Sequence, residues 1–229
     1  MVLFRTTNAV AIDGPAGSGK STVSRLVAEK LGFLYIDTGA MYRALTYKAM
    51  SGDVDLSDEA AVTELSRGLD LSLVPSDDPR KSIRVILDGQ DISEKIREME
   101  VTTNVKHVAR IGAVRKNMVS LQRKMASSSG GAVMEGRDIG TVVLPGARHK
   151  FYLDASFDER VHRRLAELRA KGHPVTRPEV VDDLKQRDHS DKTRKVGPLK
   201  KAGDAVFIDT TKLNIDEVVS RIVRYVKEQ

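Results

Sequence analysis

The chain has 229 residues, 40% hydrophobic and 31% charged, with a net charge of +6 and no cysteine. That is enough for one compact unit with a substantial core and small inserted lobes, and the absent thiols exclude disulfides and thiolate metal sites. The positive balance suits nucleic acid and pockets for phosphorylated small molecules equally, so arginine placement has to decide between them. Met1–Arg5 shows no apolar stretch of a secretory leader, and no window reaches the roughly 18 apolar residues of a membrane span. Both point to a cytoplasmic protein with no membrane partner.

In chain order, Val10–Asp13 is the first apolar run that predicts a buried strand. Gly14-Pro15-Ala16-Gly17-Ser18-Gly19-Lys20-Ser21 follows it and fills G-x-x-x-x-G-K-[ST] at every position. A glycine-rich turn between strand and helix directs backbone N–H groups onto phosphate oxygens, backed by the positive end of the helix. Lys20 would bridge the β- and γ-phosphates, Ser21 would ligate Mg²⁺, and Thr22 would reach the α-phosphate. A dinucleotide fingerprint would need glycine where Thr22 stands. The spacing predicts a helix over Ser21–Leu31, stopped by Gly32.

A second strand, Leu34–Asp37, runs into Asp37-Thr38-Gly39-Ala40-Met41-Tyr42-Arg43. Beyond it, Leu69–Val74 alternates strictly and Ile83–Leu87 leads into the turn signal Asp88-Gly89, which predicts a small antiparallel sheet. Helical spacing over Val105–Met125, with Gly112 as an interruption, precedes a Ser127–Gly131 loop and the strand Ala132–Gly136. Then come Gly136-Arg137-Asp138-Ile139-Gly140-Thr141-Val142-Val143, a strand at Lys150–Asp154 and a helix at Asp158–Lys171. The charged stretch Arg169–Lys201, with Gly172, Pro174, Pro178 and Pro198, fits a mobile lid and a solvated surface hairpin equally well. Arg187, Asp191 and Arg194 within it stand at i, i+4 and i+7, either one functional helix face or a solvated ion-pair network. A strand at Ala205–Asp209 and a helix at Asp216–Lys227 close the chain. Strands alternating with helices predict a parallel α/β sheet covered on both faces.

No N-K-x-D guanine motif occurs, and the nearest candidate for an ATPase metal-binding strand, Ala132–Glu135, ends in glutamate. The histidines show no metal-ligand spacing, and Arg163 and Arg164 read equally as surface charge and as donor contacts.

The Asp37–Arg43 segment resembles the D-[ST]-G-x-x-[YF]-R signature of nucleoside monophosphate kinases. With Gly136–Val143 downstream, nearly the whole chain is similar to bacterial-type cytidylate kinases. The resemblance implies a P-loop fold with a five-stranded parallel sheet flanked by helices: core 1–62, 98–165 and 200–229, an antiparallel monophosphate-binding lobe 63–97, and a helical lid 166–199. It implies transfer of phosphate from ATP, with Mg²⁺, to CMP or dCMP. A monomer is expected because no exposed apolar heptad pattern suggests otherwise, and no nucleic-acid partner is expected because the arginines fall at separate motifs and aromatic stacking residues are scarce. Arg43, Arg137 and Arg187 would hold the acceptor phosphate with planar forks. Thr38 and Tyr42 would line the acceptor site, with core packing the alternative for Tyr42. Asp138 and Arg115 would read cytosine, Asp191 would orient Arg187 and Arg194 or contact the sugar, and Arg194 would approach the transferring phosphoryl group. Lys20, Arg137, Arg187 and Arg194 are thus the expected catalytic groups. One position departs: the family's base-contacting serine is replaced by Lys106.

Overall fold

The computed structural model describes residues 8–74, 76 and 83–228; Met1–Arg5, read above for a leader, lie outside them. The central strand is β1, Ala9–Asp13, every residue of it buried. Around it stand β2 (Leu34–Asp37), β6 (Ala132–Gly136), β7 (His149–Asp154) and β8 (Val206–Asp209), in the order β2-β6-β1-β7-β8, all parallel. Burial on both faces is why β1 and β6 read as continuous apolar runs and not as alternating ones.

Helices α1 (Lys20–Leu31) and α8 (Ile215–Lys227) pack together, as do α2 (Thr38–Ser51) and α4 (Met99–Ala109). Helix α3 (Glu59–Arg67) lies against α5 (Gly112–Ser127). The 105–125 pattern is therefore two helices. The chain breaks at Ile111, buried and extended (φ −71°, ψ 115°), and Gly112 opens the second helix.

The small sheet has the order β3 (Leu71–Val74), β4 (Arg84–Leu87), β5 (Gln90–Asp91). Asp88 (φ 49°) and Gly89 (φ 78°) are both left-handed, the backbone a tight hairpin between β4 and β5 requires. The two-residue β5 is too short to have been read from sequence.

Helices α6 (Phe157–Ala170) and α7 (Arg177–Thr193) form a hairpin with its own apolar cluster of Val161, Leu168, Val180 and Leu184, joined by the P-loop's Ala16. Thr176 and Glu179 make a reciprocal capping box and Pro178 occupies the first turn of α7, so this proline starts a helix. The expected boundaries at 62/63 and 165/166 fall inside α3 and α6, so each segment leaves the core through a helix.

Candidate active site

A cleft of about 1010 Å³ opens where the carboxyl ends of β1, β2 and β6 deliver their loops. Its lining includes every residue expected in the site from Ala16 to Arg194; Gly14 and Pro15 sit behind it. Ala16–Gly19 of the loop line one end, Thr38, Tyr42, Arg43, Arg115, Arg137 and Asp138 line the other, and α7 contributes Asp183, Arg187 and Asp191.

At the loop end, Gly17 (φ 77°) and Gly19 (φ 83°) take left-handed backbone that only glycine adopts cheaply. A Cβ on Gly17 would also stand 3.1 Å from the Arg160 Cβ and carbonyl. Lys20 opens α1 and its Nζ reaches back across the loop to the Pro15 carbonyl, 2.9 Å away. Burial, followed by the nearby Arg137 charge, pushes the Lys20 ammonium down to about 8.

Ser21 Oγ donates to Glu135 Oε2 at 3.0 Å, and the buried Tyr35 hydroxyl donates to Glu135 Oε1 at 2.5 Å. Burial and the neighbouring Asp37 carboxylate raise the Glu135 pKa. Among the described residues no group of three or more His, Cys, Asp or Glu could hold a metal unaided. One hydroxyl beside crowded carboxylates nevertheless fits a hard cation that takes its remaining ligands from phosphate and water. Ser21 would hold it, with Glu135 and Asp37 on the outer side.

Beyond the loop end, each predicted arginine is held by an aspartate. Asp37 caps α2 through the Ala40 N–H and pairs with Arg43 at 3.1 Å. Arg137 Nε meets Asp191 Oδ2 at 2.6 Å. Burial lowers the Arg137 pKa less than Asp191 and Glu135 raise it, so the net shift is upward. Asp138 and Arg115 form a salt bridge with both side chains buried (7% and 3% exposed), and the Arg115 guanidinium lies over the Tyr42 ring, 5.5 Å from its centroid. Tyr42 lines the cleft, and its Oη is buried and makes no hydrogen bond among the described residues.

Three side chains expected in the site take partners of their own in the structure. Asp191 pairs with Arg137 and Arg194, whereas Arg187 turns one helical turn back to Asp183 at 2.9 Å. Arg194 lies just past α7, in extended backbone, and bonds to the Gly197 carbonyl and Asp138 Oδ1. Its guanidinium thus stands between Asp138 and Asp191, the partners of Arg115 and Arg137. The Thr38 hydroxyl, expected to face a nucleotide, donates to the Glu135 carbonyl at 2.7 Å.

Residues 10–228 match the family model described as Cytidylate kinase. The chain belongs to the cytidylate kinase family. It is 50% identical over 214 residues to a cytidylate kinase of Pelotomaculum thermopropionicum, covering 93% of each chain. It is 48% identical over 219 residues to one from Desulforamulus reducens, covering 96% of each. A crystal structure of an uncharacterized protein from Eubacterium ventriosum shares the fold at 13% identity, with a TM-score of 0.53 over 97% of this chain and 99% of that one.

Several groups of this kinase cleft escaped the sequence reading. Glu135 was noted only as the glutamate ending a candidate metal-binding strand, yet it joins Ser21, Tyr35 and the Lys20 charge in one network. Arg163 and Arg164, left open above, both line the cleft; Arg163 is held by the Thr210 carbonyl at 2.7 Å. Arg160 is buried and ties the Ala16 carbonyl (3.1 Å) to Asp188 of α7 through two bonds, 3.1 and 2.7 Å. An arginine in a charged helix gives no sign of this. Strict apolar spacing around Val161 and Leu168 was the only available signal that position 160 flanks a buried face.

Proposed function

We propose that this chain transfers the γ-phosphoryl group of Mg·ATP to CMP or dCMP, giving ADP and CDP or dCDP, as a cytoplasmic monomer acting on free nucleotides. The observation that carries the reading is the buried Asp138–Arg115 pair in the same cleft as Lys20. A carboxylate accepts from the exocyclic amine of cytosine, and a guanidinium donates to the ring acceptors. Uracil has a carbonyl where cytosine has that amine, which would leave Asp138 without its hydrogen bond.

An acceptor phosphate oxygen is anionic near neutral pH, so the attack needs no general base. The new bond joins that oxygen to the γ-phosphorus as the bond to the β–γ bridging oxygen breaks, leaving ADP. Lys20 would neutralise the β- and γ-oxygens, and Arg43, Arg137 and Arg187 would fix the acceptor phosphate. Bound magnesium supplies further charge neutralisation on the phosphates. Arg187 would have to leave Asp183 to take part. That exchange fits a lid made of α6 and α7, with its separate apolar cluster, closing over the cleft and excluding water.

The test is ADP release with Mg·ATP and a panel of CMP, dCMP, UMP, AMP and dTMP. Turnover is expected on the cytosine nucleotides, with UMP at least about a hundredfold poorer in kcat/KM. Turnover mainly on UMP or AMP would refute the base assignment, and no turnover on any would refute the kinase reading.

A further inference from the structure

The Arg137–Asp138 segment runs directly into a single π-helical turn, Ile139–Val143, in which the Val143 and Leu144 N–H groups bond to the carbonyls of Asp138 and Ile139. A one-turn helix leaves almost all of its end groups unpaired. Here both ends are satisfied from outside. Asp13, the last residue of β1, accepts from the Ile139 N–H through Oδ1 and from the Gly140 N–H through Oδ2, each at 2.8 Å. At the other end, Arg123 of α5 donates through Nε to the Val143 carbonyl (2.7 Å) and through its terminal nitrogen to the Val142 carbonyl (2.8 Å). Carboxylate on the free N–H groups and guanidinium on the free carbonyls is the favourable order for a helix dipole.

The clamp joins parts that the chain keeps far apart. Asp13 stands opposite Gly136 in the β1–β6 register and immediately precedes the phosphate loop, so one side chain links that loop to the acceptor turn. The turn packs closely on Gly136, where a Cβ would come 2.7 Å from Ile139 Cδ1 and 2.8 Å from Thr38 Oγ1. Neither Asp13 nor Arg123 lines the nucleotide cleft; Arg123 faces a separate cavity of about 570 Å³ behind α5.

We propose that Asp13 and Arg123 are positioning residues for the acceptor: gripping the π-helical turn from both ends, they set where Arg137 and Asp138 stand. The assignment rests on the CMP kinase reading above. A carboxylate and a guanidinium that never touch the nucleotide then govern acceptor binding and base choice.

Arg123→Gln is the test, with Arg123→Lys as the conservative variant and wild type assayed alongside on CMP and UMP. Arg123→Gln should raise KM for CMP about tenfold and narrow the CMP-to-UMP ratio of kcat/KM by a similar factor, with KM for Mg·ATP unchanged. Arg123→Lys should recover part of both. Asp13→Asn, which can accept only one of the two N–H bonds, should also raise KM for CMP, and the double variant should lose less than the product of the two. Hydrogen exchange at the amides of residues 139–144 should quicken in Arg123→Gln whatever the activity. Unchanged KM and base ratio, or an equal fall in kcat on both nucleotides at unchanged KM, would overturn the assignment. Wild-type protein inactive on every monophosphate would overturn the kinase reading itself, and this assignment with it.

Discussion

The proposed donor cradle is a contiguous stretch, Gly14–Thr22, whereas the proposed acceptor wall draws Arg43 from α2, Arg115 from α5, Arg137 and Asp138 from the loop after β6, and Arg187 and Asp191 from α7. The cradle's positive charge is local: a loop, a helix start and Lys20. In the wall, each of these four arginines is held by an aspartate, and in three of the four pairs (all but Arg187–Asp183) the partner comes from a different segment of the fold. A phosphate chain can be bound by one short segment because backbone N–H groups do the work. Recognising a base and a phosphate at a fixed separation takes side chains from several elements, each held in place by a partner.

Removing the cradle's one ammonium tests that contrast most severely. Lys20→Met should lower kcat by about a thousandfold, read as ADP release under saturating CMP, while CMP binding by calorimetry stays within about threefold. An equal loss of CMP affinity would show that the two halves are not separable.

The next largest effect should come from the bridge between them. Asp188→Ala leaves Arg160 buried without its main partner and should cost about 3 kcal/mol of stability, seen as a lower denaturant midpoint at unchanged slope. Pairing it with Arg160→Met should restore most of that loss. A single variant as stable as wild type would mean that α7 is not anchored to the phosphate loop through Arg160.

A pH profile probes the cradle alone. Burial and Arg137 bring Lys20 down to about 8, so its charge is present below that pH and lost above it. At fixed CMP, kcat/KM for Mg·ATP should be level toward neutrality and fall by about tenfold per unit well above pH 8. A flat profile to pH 9.5 would place the charged cradle elsewhere. The smallest change belongs to Lys106, an exposed cleft residue: Lys106→Ser should shift the CMP-to-UMP ratio by about threefold, in favour of CMP.

Legibility followed the same division. The P-loop and the strand-turn-helix around it were readable because every residue type there answers to a local backbone demand. The turn at Asp88-Gly89 was readable for the same reason, and the buried strands were readable as short apolar runs. Helix α2 was not, since the Asp37–Arg43 signature stood out as a motif and masked the helix that Asp37 caps. The partner of Arg187 was misjudged because Asp183 and Asp191 both lie four residues from it, and spacing cannot choose between them.

By itself, the sequence determined the class of fold, the phosphate loop and which arginines and aspartates were available, because periodicity and glycine chemistry act over a few residues. Only the tertiary structure decided which aspartate holds which arginine, that Glu135 joins Ser21 and Tyr35, and that Asp13 and Arg123 grip one turn from strands and helices 110 residues apart in the chain. Those choices depend on how the parallel sheet stacks β6 beside β1, bringing distant segments to the same edge.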